Sequence, residues 1–183
     1  MRRGMILGSL LAAIAMFVWG FVFWTTPLGR STMSHGIDND RAQESLREIF
    51  PEDGVYFVPD VVEGEAQETW IERHRRGPLA TVFYRRAGAD PMEPIVFLNG
   101  FLHMLITCVV IAWLLGKALP ALPTYGARLG FVLLAGFAAT FWGHAGDPIW
   151  FYNPWKYHLM AMTYDLGAWG LAGLVLARFV RAD

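Results

Sequence analysis

The sequence predicts an all-α membrane protein: a four-helix transmembrane bundle with a small α+β extracytoplasmic insert between spans one and two. Three observations predict it. Apolar stretches cover residues 5–25, 95–115, 129–143 and 158–180, each near the ~20 residues needed to cross ~30 Å of hydrocarbon. The 183-residue chain is 55% hydrophobic and 17% charged, too apolar for an ordinary soluble domain. Its carboxylates are unevenly placed: all but Asp147, Asp165 and Asp183 fall between residues 30 and 94, so that segment belongs in water. The chain divides accordingly into a first span (1–25), an insert (26–94) and a three-span region (95–183) with an aromatic outer loop over 144–157.

Span one begins like a secretory signal, with Arg2 and Arg3 ahead of an apolar run. A cleavage site needs small residues, whereas this run continues through Phe17, Trp19, Phe21, Phe23 and Trp24, so the segment is expected to stay as an anchor. In the insert, Asp38, Asn39 and Asp40 offer N-caps to an amphipathic helix over 41–50, with Ala42, Leu46, Ile49 and Phe50 on one face. Pro51 and the Asp53-Gly54 turn stop it. A strand over 55–58, a helix over 65–76 closed by Gly77 and a strand over 79–86 follow; in the last, Thr81, Phe83 and Arg85 alternate with Val82 and Tyr84. About 65 residues is marginal for independent stability, so the insert is expected to pack on the membrane surface or on a partner.

Orientation follows from the basic flanks. With a cytoplasmic amino terminus, Arg2, Arg3, Lys117, Arg128, Arg178 and Arg181 all lie inside, and the short outer loop keeps only Lys156. Both termini are then cytoplasmic. The insert exceeds the ~60 residues over which loop charge governs orientation, so its arginines do not oppose this.

Ala15-Met16-Phe17-Val18-Trp19-Gly20, Thr26-Pro27-Leu28-Gly29 and the run from Pro51 to Pro59 resemble segments of small multi-pass bacterial inner-membrane proteins of no assigned function. The likeness covers the first third of the chain. It implies a bacterial cytoplasmic membrane and carries over no catalytic residue.

The chemistry to weigh lies in the outer half of the membrane. Spans two and four both run from outside to inside, and His103 and Asp165 each lie about eight residues in, ~12 Å at 1.5 Å per residue. Asn99 is one turn outward from His103, His158 two turns outward from Asp165, and His144 stands at the outer end of span three. A polar column of Asn99, His103, His144, His158 and Asp165 is therefore expected, with His103 facing Asp165. A mid-helix Asp costs ~2.5 to 3.5 kcal/mol on insertion scales, and a His partner offsets that by hydrogen bonding. The first reading is a structural tie between helices. The alternatives are a proton or ion relay or ligand site, and a metal or haem site on the histidines, although no spacing matches a known ligand motif.

The outer loop carries Trp150, Phe151, Tyr152 and Trp155 between and beside Pro148 and Pro154. Aromatic residues gather at headgroup level, which makes an interfacial belt the plain reading; the functional one is contact with a lipid, quinone or partner helix. Gly4, Gly8 and Ala12, Gly126 and Gly130, and Gly173 and Ala177 have the small-xxx-small spacing of close helix contacts.

Other classes find no support. The lone Cys108 excludes an internal disulfide and a Cys-x-x-Cys site. Net charge near zero gives no reason to expect nucleic acid. No phosphate loop, Gly-x-Ser-x-Gly or His-Glu-x-x-His motif occurs, so enzymatic activity is not expected. The expected function is that of a non-enzymatic inner-membrane accessory or interaction protein. It would need no cofactor, contact membrane lipids, and join a larger membrane complex or a homo-oligomer through its insert and aromatic loop. The alternative is a small transport, proton-relay or haem- or metal-binding unit.

Overall fold

The computed structural model describes residues 3–181; Arg2 and Asp183, used above for orientation and charge placement, lie outside them. In chain order the elements are α1 (Arg3–Thr25), α2 (Pro27–Arg30), α3 (Asn39–Ile49), β1 (Gly54–Val58), α4 (Gln67–Arg76), β2 (Ala80–Tyr84), α5 (Pro94–Ala118), a 3-10 turn (Leu119–Ala121), α6 (Tyr125–Trp150) and α7 (Trp155–Phe179). Four of these helices, α1, α5, α6 and α7, are long and apolar enough to cross a membrane. The chain separates into two compact units. One holds α1, α5, α7 and α6 as far as Gly146, and the other consists of Ser34–Asp90 with Asp147–Asn153.

In the helical unit α1 packs against both α5 and α7. Its buried positions are mostly small: Gly8, Ser9, Ala12, Ala13 and Gly20, with Met16 and Phe23. Small side chains let helix backbones approach, and the core they enter is completed by Cys108, Ile111, Ala112 and Leu115 from α5 and Ala168, Ala172 and Leu176 from α7. Ser9 adds a polar tie, its Oγ donating to the carbonyl of Cys108 at 3.3 Å. Of the small-residue pairs, Gly4 and Gly8 abut Phe179 and Gly173 meets Leu129, but Gly126 and Gly130 face open space. Other tight seats lie elsewhere. A Cβ on Gly167 would stand 2.7 Å from the Trp19 indole, and one on Gly136 would collide with Trp169.

Span three is longer than its apolar stretch. The helix does not end at residue 143 but continues to Trp150 with Pro148 inside it, so the expected loop over 144–157 shrinks to four residues before α7 begins at Trp155. The polarity of His144 and Asp147 mimicked a helix end. Pro148 costs α6 the hydrogen bond to the carbonyl of His144, four residues back, and its ring crowds that carbonyl; the helix ends two residues later. Tyr152 makes the turn with φ 58°, a left-handed conformation that bulky residues rarely adopt.

The second unit follows its sequence closely. Asp38 caps α3 by accepting from the backbone N–H of Arg41 at 3.1 Å, Gly77 closes α4 with φ 64°, and β1 and β2 pair antiparallel with Tyr56 opposite Val82. Phe50, the C-cap of α3, is buried against Tyr56 and Tyr84, with ring centroids 4.5 and 5.5 Å away. Arg86 locks the assembly: its backbone N–H donates to Asp53 at 2.7 Å, and its guanidinium donates to the carbonyls of Arg47 and Phe50 at the end of α3, where a cation also suits the helix dipole.

Candidate functional site

The polar column assembles from α6 and α7, and α5 takes no part in it. His144 Nε2 lies 3.0 Å from Asp165 Oδ2, with the two side chains 26% and 32% exposed. His158 is buried, its ring 6.1 Å from that of His144 and edge-on to Tyr157 at 5.3 Å. One turn along α6 from His144, Thr140 is 3% exposed, and its hydroxyl has no hydrogen-bond partner within the described residues. Thr107 and Thr163 return their hydroxyls to the carbonyl four residues back; Thr140 does not.

His103 does not face Asp165. It and Asn99 lie on the exposed side of α5, and the carboxylate is taken by His144 instead. The expectation rested on equal depth, which fixes the position of a residue along its helix but not the direction it faces. Here α1 packs on both α5 and α7. The sequence also hid the His144 partnership, because His144 reads as a loop residue until α6 is known to continue past it.

Aromatic packing backs the Asp165 side of α7. The Trp19 indole N–H donates to the carbonyl of Tyr164 at 2.9 Å, and the Tyr164 ring rests against Phe23 and Trp24 at 5.2 and 5.3 Å. A carboxylate and an imidazole 3.0 Å apart can hydrogen-bond and so tie two helices, and both are groups able to exchange a proton.

At the other end of α7, Arg128 is buried rather than a solvated flank. Its Nε donates to the carbonyl of Ala177 at 3.0 Å, and Nη1 reaches those of Leu122 and Pro123 at 3.3 and 3.0 Å. One guanidinium thus satisfies a last-turn carbonyl of α7 and fixes the α5–α6 connection.

The second unit contains an open aromatic cleft of about 310 Å³, walled by Phe57, Pro59, Trp70, Leu79, Trp150 and Phe151, with Asp60 and His74 as polar members. Phe151 stacks on Phe57 at 5.5 Å, and Tyr152 meets His74 edge-on at 5.5 Å. Two of the aromatic-loop residues are therefore partly spent on internal packing, while Trp150 remains 76% exposed. Trp155 opens α7 and belongs to the helical unit. Arg73 is held by Glu65 and the carbonyl of Asp60. The cleft was not visible in sequence, since its walls come from two segments, residues 57–81 and 150–151, far apart in the chain.

Among the described residues, no group of three or more His, Cys, Asp or Glu side chains is arranged to hold a metal ion. Comparison with known proteins gave no matching family model, no matching curated protein and no matching solved structure.

Proposed function

We propose that this chain is a non-enzymatic accessory protein of a bacterial inner membrane, with both termini cytoplasmic and the insert periplasmic, and that it engages a partner through the second unit. The observation that carries this reading is the open aromatic cleft built jointly by the insert and residues 147–153. Its size is at the lower end of the range for specific pockets, and exposed Trp and Phe side chains are the type that anchors partners. Carboxylates outnumber arginines between residues 34 and 90, which favours an apolar or aromatic partner segment with a basic residue beside Asp60.

A photo-crosslinking residue in place of Leu79 should capture a discrete partner in native membranes, and one in place of Glu44, outside the cleft, should not. Trp150→Ala should abolish the capture while the protein stays in the membrane. Equal capture from both positions, or capture indifferent to Trp150, would sink the reading.

The His144–Asp165 pair favours a second reading, a small proton-relay unit. That reading requires proton flux in reconstituted vesicles which Asp165→Asn removes without unfolding the protein.

A further inference from the structure

We infer that the exposed face of α5 is the seam of a parallel homodimer within the membrane. Of the four candidate spans α5 is the least covered: 17% of its apolar window is buried, against 39% for α1. Its covered face, Cys108, Ile111, Ala112 and Leu115, enters the core. Among its exposed positions, which also include Ile95, Val96, Leu98, Leu102 and Leu114, one line runs through Asn99, His103, Ile106, Val110, Trp113 and Lys117. These positions advance by alternating steps of four and three residues, the spacing of a two-helix seam.

Polarity distinguishes this strip from an ordinary lipid-facing surface. Trp113 and Lys117, 5.6 Å apart in a cation–π contact, suit an interfacial belt. Asn99 and His103 do not suit hydrocarbon. They lie about 8 and 14 Å along the axis from Pro94, and an Asn amide and an imidazole there need hydrogen-bond partners that lipid tails lack. Thr107 satisfies its own hydroxyl within the helix; the amide of Asn99, with two donors and an acceptor, cannot do so fully. Nor does the His144–Asp165 pair draw on either residue.

The partner that fits is a second copy. An Asn amide and a neutral imidazole each carry both donor and acceptor, so each can pair with its own equivalent. Two copies inserted in the same orientation hold Asn99 and His103 at identical depths. A two-fold axis along the membrane normal then sets each opposite its mate, with Ile106 and Val110 interdigitating below.

The test is cysteine crosslinking of the full chain in lipid vesicles. Ile106→Cys and Val110→Cys should give disulfide dimers under mild oxidation. Leu105→Cys, off the seam, and the native chain, with Cys108 on the covered face, should not. Separately, Asn99→Leu combined with His103→Leu, which makes insertion easier, should weaken dimerisation about tenfold in energy-transfer measurements at graded lipid dilution. Equal crosslinking from all positions, a monomer at every dilution, an unchanged dimer in the double variant, or a seam shielded only by a different protein would each overturn the proposal.

Discussion

His144 Nε2 and Asp165 Oδ2 meet at 3.0 Å and join α6 to α7, although the residues stand at different distances from the turn that connects those helices. The imidazole of His144 and the short carboxylate of Asp165 bridge the gap that helix geometry leaves. The pair should behave as an energetic unit: His144→Ala and Asp165→Ala, alone and together, should give a coupling of about 0.6 to 1.7 kcal/mol in a double-mutant cycle of detergent unfolding. Strict additivity would show that the contact ties nothing.

Arg128 serves three carbonyls at once. Arg128→Met should destabilise the helical unit by about 1 to 3 kcal/mol, because it strips donors from buried acceptors. Arg128→Lys should recover less than half, since an ammonium lacks the planar fork. Thermal unfolding in detergent measures both.

Gly167 receives the Trp19 indole so closely that a methyl group would lie 2.7 Å from it. Gly167→Ala should cost about 1 to 3 kcal/mol through overpacking. Trp19→Leu should relieve part of that cost, so the double variant should be more stable than the sum of the two single losses implies. Equal losses with and without Trp19 would place the strain elsewhere.

Tyr152 holds φ 58°. Tyr152→Ala loses the ring contact with His74 and keeps the unfavourable backbone, whereas Tyr152→Gly loses the same contact and removes the strain. The Gly variant should therefore be more stable than the Ala variant by about 1 kcal/mol, as measured by chemical unfolding. The reverse order would show that the turn relaxes away from the left-handed region.

The proposed orientation places Lys117 and Arg128 on the cytoplasmic side and the insert across the membrane. A reporter active only in the cytoplasm should work when inserted between those two residues and fail after Gly64. The opposite pattern would invert the topology.

The sequence by itself determined the number of long apolar helices and nearly all of the second unit. Both are local matters. A run of apolar residues needs no partner to be too apolar for water. Asp38 before α3, Gly77 after α4 and the alternation in β2 act within a few residues of where they stand.

The tertiary structure decided which polar groups met. Depth along a helix can be counted from a sequence, but facing depends on which helix packs beside which, and α1 packs on both α5 and α7. That arrangement left His103 on an outer face and gave Asp165 to His144. It also took folding to bring Phe57 and Phe151 together, because a contact across such a separation is encoded by the packing of whole elements and not by any local signal.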